Sequence, residues 1–124
     1  MRVNREALNK NCYTISMTDL LMVYITCTSL EQARQIGLHL LEKRLAACIN
    51  IFPEMQPMYF WPPKTGHIDE GKEIVLIAKT NESKYGLLEK EIYKIHTEEI
   101  PCIIALPVKH VGKKYYEWLI GELK

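Results

Sequence analysis

His96, Glu98, Glu99 and Cys102 fall within the short stretch "HTEEIPC" (96–102), and Cys27 sits in a second polar, sulfur-bearing run, "TCTS" (26–29). A thiolate and an imidazole are suitable donors for copper, above all the soft Cu(I) ion, and also for zinc. Two ligands are too few for a tight structural centre, which usually takes four. Glu98, Glu99, Cys102 or a neighbouring subunit would have to complete the set around Cys27 and His96. The same residues could instead work on substrates, with Cys–His as nucleophile and base or Glu98 and Glu99 as an acid–base pair. No oxyanion hole or third orienting residue accompanies them. The chain also has no G-x-x-x-x-G-K-[ST], G-x-G-x-x-G or H-E-x-x-H motif. It is therefore not expected to be an enzyme. The plainest alternative makes Cys27 and Cys102 packed strand residues and His96 a helix C-terminal residue favoured by the dipole.

Those residues need a scaffold, and its bulk properties are ordinary. The chain has 124 residues, 48% of them hydrophobic and 25% charged, enough for a single domain with a real core. A formal net charge of +1 gives no basic stripe for phosphates, so nucleic acid is not an expected partner. The longest apolar run, "LLMVYI" (20–25), is far too short to span a membrane. Cys12, Cys27, Cys48 and Cys102 form no C-x-x-C pair, which suits reduced thiols in a cytoplasmic protein. Residues 1–17 are rich in Asn and basic residues and lack an apolar signal core. They are expected to be an extension outside the fold, with the domain at 18–124.

The elements follow from periodicity. "LLMVYITC" (20–27) reads as a buried strand. Ser29 and Gln32 form a capping box opening a helix over 30–43, with Leu30, Ala33, Ile36, Leu40 and Leu41 on one stripe. "RLAACINIF" (44–52) reads as a second strand. Pro53, Pro57, Pro62 and Pro63 restrict the segment 53–63 to an edge, a bulge or a loop. "MYFW" (58–61) and "EIVLIAKT" (73–80) read as strands around a polar hairpin tip at 64–72. Asn81 or Ser83 caps a second helix that runs to about 96, "IPCIIALPV" (100–108) is the fourth strand, and Val111 to Leu123 mark a terminal helix. The order β-α-β-β-α-β predicts an α+β, ferredoxin-like split-βαβ fold with an extended hairpin and a C-terminal helix. Its projecting ribbon leaves strand edges to cover, which predicts an oligomer.

"TCTS", "EKRLAACINIFP", "MYFW", "EIVLIAKT" and "IPCIIALPV…YYEWL" together resemble the CutA divalent-cation tolerance family over roughly residues 20–122. The resemblance implies a homotrimer akin to the PII signalling proteins, with hairpins exchanged around a threefold axis. It also implies a part in tolerance of copper and other divalent cations, with copper as a proposed ligand. The family pattern H-P-Y-E-x-P-E is met at His96, Glu99 and Pro101, whereas Thr97, Glu98 and Cys102 replace its Pro, Tyr and final acidic residue. The resemblance supports Cys27 and His96 as metal ligands. Ile95 precedes His96, so the second histidine found in some members is missing. Glu98 and Cys102 are possible additions, and Cys102 would make the site softer. A different role, as a PII-like sensor of a small ligand, would use an intersubunit cleft rimmed by Tyr59, Trp61, Lys79 and Glu99. Aromatic residues such as Tyr59 and Trp61 could equally just anchor the interface. His39, His67 and His110 stand apart from these groups.

Overall fold

The computed structural model describes residues 13–124. Along the chain lie β1 (Thr14–Ser16), β2 (Leu20–Cys27), α1 (Leu30–Glu42), β3 (Cys48–Met55), β4 (Met58–Phe60) and β5 (Ile68–Glu70). They are followed by β6 (Glu73–Asn81), α2 (Glu82–Ile95), β7 (Ile103–Pro107), β8 (His110–Gly112) and α3 (Lys113–Glu122). Four strands form an antiparallel sheet in the order β3-β6-β2-β7. With α1 and α2 in their places along the chain, this is the expected ferredoxin-like arrangement.

Side chains alternate across a strand, and burial follows that rule. Leu21, Val23, Ile25 and Cys27 of β2 are buried, while Met22, Tyr24 and Thr26 between them are half-buried. The buried set packs with Leu76 and Ala78 of β6, with Ala33, Ile36 and Leu40 of α1, and with Leu88 and Ile92 of α2. Each large aliphatic side chain withdrawn in this way contributes ~1.5–3 kcal/mol. The opposite face carries Phe52, Ile104 and Leu106, all more than half exposed.

Ser29 caps α1 as expected, its Oγ accepting from the Gln32 backbone N–H at 3.1 Å. Gln32 does reach back, but its Oε1 accepts from the N–H of Thr28, one residue before the cap, at 2.9 Å. Asn81 rather than Ser83 caps α2, accepting from the Lys84 N–H at 3.1 Å.

Three expectations are corrected. The second strand begins at Cys48 and not at 44, because Arg44 takes a positive φ of 55° and Leu45 closes the helix end on the Leu40 carbonyl. Leu45 and Ala46 are buried in that turn, so an apolar connector looked like strand. The hairpin is divided: β3 pairs with β6, a register shift falls between Phe52 and Met55 at Pro53, and β4–β5 continues as a separate two-stranded ribbon. Residues 1–17 do not all lie outside the fold. Cys12 and the residues before it fall outside the described ones, but β1 pairs with β8, and Ile15 is buried against Leu20, Tyr116 and Leu119. Strands of three residues carry too little alternation to be read from sequence.

Candidate functional site

The end of β2, the connector 96–102 and the inner face of the β4–β5 ribbon border a half-open cavity of about 640 Å³. Its position follows from register. Thr26 and Cys27 end β2, and the Thr26 N–H donates to the Cys102 carbonyl at 3.3 Å, extending the β2–β7 ladder to Cys102. Tyr59 lies opposite Asp69 in the ribbon, so the two share a face, and Trp61 follows Tyr59 on that face by alternation. Glu73, the first residue of β6, arrives beside Cys27 because Cys27 is paired with Ile74.

The connector is held by four hydrogen bonds. The Gln32 amide donates to Thr97 Oγ1 at 2.7 Å, tying the first turn of α1 to the segment after α2. His96 caps α2, and its Nε2–H donates to the Thr26 carbonyl at 2.7 Å. Its Nδ1 accepts from the Glu98 N–H at 3.0 Å. Together with the Thr26–Cys102 bond, these contacts place Glu98, Glu99 and Cys102 along one wall.

Of the residues expected to hold a metal, Cys27, Glu98 and Cys102 border the cavity, but Cys27 is 1% exposed and packs in the core, whereas Cys102 lies opposite Thr26 on the other face of β2. His96 stands behind its wall. A neutral imidazole has one N–H and one lone pair, and His96 commits the first to Thr26 and the second to Glu98. Of the residues expected to rim a ligand cleft, Tyr59, Trp61 and Glu99 line the cavity. Lys79 does not. It lies six residues along β6 from Glu73, roughly 20 Å at strand spacing. There it donates to Tyr115 Oη at 3.1 Å, with its Nζ 5.2 Å from that ring centroid.

Tyr24, Asp69 and Glu73 also line the cavity, and no motif in the sequence marks them. The signal for Asp69 and Glu73 was the hairpin register, which a proline-interrupted sequence hides. Among the described residues the lining has acidic groups at Asp69, Glu73, Glu98 and Glu99 but no Lys, Arg or His. This field and burial act on the thiols. Desolvation, reinforced by Glu73, pushes Cys27 up to about 11. The same two causes push Cys102 up, opposed by a hydrogen bond with Thr26. No group of three or more His, Cys, Asp and Glu side chains among the described residues is already gathered as a metal cage.

Against known proteins, the model of the family described as CutA1 divalent ion tolerance protein matches residues 21–122. The chain belongs to this family. The CutA1 match runs from β2 to α3 and so includes every wall of the cavity. The chain is 42% identical over 100 residues to the divalent-cation tolerance protein CutA of Thermotoga maritima, spanning 81% of this chain and 95% of that relative. It is 38% identical over 97 residues to the CutA of Archaeoglobus fulgidus, spanning 78% and 91%. A solved structure from Archaeoglobus fulgidus, described as a periplasmic divalent cation tolerance protein CutA, matches with a TM-score of 0.79 and 34% identity. That match covers 85% of this chain and 99% of the other. Some CutA relatives are longer: the match spans 63% of the Danio rerio homolog.

Proposed function

We propose that this CutA-family chain is a divalent-cation tolerance protein that binds copper or another divalent cation in the cavity at the end of β2. The observation that carries the proposal is the sign of the lining: four carboxylates and two thiols, with no cationic side chain. Cation tolerance in the names of its relatives agrees with that field. The donor types suit a soft or borderline ion, and because they are not gathered in the free protein they must close on it. Cys27 and Cys102 would supply sulfur and Glu98 oxygen, and such sulfur donors select Cu(I) over harder ions. His96 serves this site by orienting it, fixing Thr26 at the end of β2 and Glu98 on the connector. Because both thiols are held up by burial, a metal must displace their protons, and affinity rises with pH.

The test is titration of the reduced protein with Cu(I) against a competing chelator. Cys27→Ser and Cys102→Ser should each weaken binding at least tenfold. His96→Ala, which loosens the wall without removing a donor, should weaken it less. Wild-type affinity in both serine variants would sink the specific site.

The working assembly is proposed as a homotrimer, supported by the apolar face of Phe52, Ile104 and Leu106 and by the exposed Met58, Phe60 and Ile68 on the outer face of the ribbon. A cytoplasmic location is proposed on the free thiols Cys27, Cys48 and Cys102. Among the described residues no helix is long and apolar enough to cross a membrane. A second reading, as a PII-like trimer that binds a small molecule, is favoured by one observation. The cavity is far larger than an ion and has aromatic side chains in its walls.

A further inference from the structure

We infer that the cavity at the end of β2 binds a small organic cation with two ammonium groups separated by a short apolar chain. The inference rests on the small-ligand reading and not on the metal reading. Size is the first argument. Metal ions require several ligands at about 2.0–2.6 Å, and no such convergence exists among the described residues. A space of about 640 Å³ lies within the range of small-molecule sites.

The distribution of charge is the second argument. Asp69 stands on the ribbon, Glu73 at the start of β6, and Glu98 and Glu99 on the connector. Negative charge thus comes from different walls instead of one point, which matches a ligand whose positive charges are apart. The field is felt on the ribbon wall. The Tyr59 hydroxyl is pushed above its ordinary value by desolvation and then by Asp69, Glu73 and Glu98.

The third argument is the surface between the charges. Tyr24, Tyr59 and Trp61 bring aromatic rings to the cavity. Ring faces attract ammonium groups, and Trp does so best. Met55 and Pro57 add apolar lining for a methylene chain. The absence of a basic side chain in this lining disfavours anionic ligands such as nucleotides or carboxylic acids.

The test uses 1,4-diaminobutane as the probe and 1,4-butanediol as its neutral counterpart, each titrated calorimetrically into the full chain at low ionic strength. Saturable binding of the diamine but not the diol is expected. Tyr59→Ala and Glu73→Gln should each weaken it at least fivefold, and Lys79→Ala, outside the lining, should leave it within twofold. A Trp118→Phe chain, whose remaining tryptophan is Trp61, should show a saturable emission change with the same midpoint, with the cavity lining intact. No saturable diamine binding, equal binding of the diol, or unchanged affinity in both the Tyr59 and Glu73 variants would overturn the inference. So would an emission from Trp61 that the diamine leaves unaltered. Parallel Cu(I) titrations separate the two readings. Copper binding lost in Cys27→Ser beside a failed diamine titration leaves the metal reading standing and removes this one.

Discussion

Glu91 shows what single residues can do away from the cavity. Its side chain is 3% exposed, yet it meets three partners: Lys43, Lys94 at 2.7 Å and the His39 ring at 3.2 Å. Lys43 contributes most to holding its carboxyl down, from 4.5 to about 2, followed by Lys94, with burial opposing them and His39 helping. A folded-state value below the unfolded one stabilises the protein above pH 4.5, and that contribution is lost as pH falls toward 2. Glu91→Gln should therefore lower the thermal midpoint at pH 7 and flatten its decline between pH 4.5 and pH 2. An acid limb as steep as the wild type's would contradict this. His39 stands alone in the sequence because its partner is 52 positions away. Periodicity reports which face a residue occupies and not which distant residue will share it. The same limit hid Asp69 and Glu73, whereas Cys27, Cys102 and Glu99 could be nominated because their chemistry and local setting are visible in short runs.

At the scale of elements, what was legible depended on length and pattern. Strand β2 and helices α1 and α2 were readable nearly to the residue, since β2 has a sustained period and each helix adds a side-chain cap. The start of β3 was not, because the buried turn at Leu45 and Ala46 has the composition of a strand. Packing between elements is sharper still. Gly37 of α1 faces β3 so closely that an added Cβ would lie 2.9 Å from Ile49 Cγ2, whereas one at Gly86 of α2 would meet nothing within 4 Å. Removing a helical glycine gains roughly 0.5–1 kcal/mol, and overpacking costs roughly 1–3 kcal/mol. Gly86→Ala should raise the urea midpoint and Gly37→Ala should lower it, with the slope unchanged in both. Midpoints that move in the same direction would show that Ile49 yields without cost.

For the whole molecule the question is what covers the outer face of the sheet. β3 and β7 are the edge strands, and Ile104 and Leu106 on β7 are 51% and 53% exposed. Apolar patches beside open edges mark association surfaces. Sedimentation should give about three subunits per particle, and placing Asp at both Ile104 and Leu106 should reduce that mass. A stable wild-type monomer at micromolar concentration would exclude the trimer. The sequence announced the unprotected edges through its long hairpin. It could not announce the small second cluster, in which β1 and β8 hold Ile15 against Leu20, Tyr116 and Leu119. That cluster is a second, smaller core beside the main one. Segments nearly a hundred residues apart in the chain share it, β1 through its pairing with β8 and Ile15 through its contact with α3. Stability at the N-terminal side of this fold is thus partly a property of its last helix.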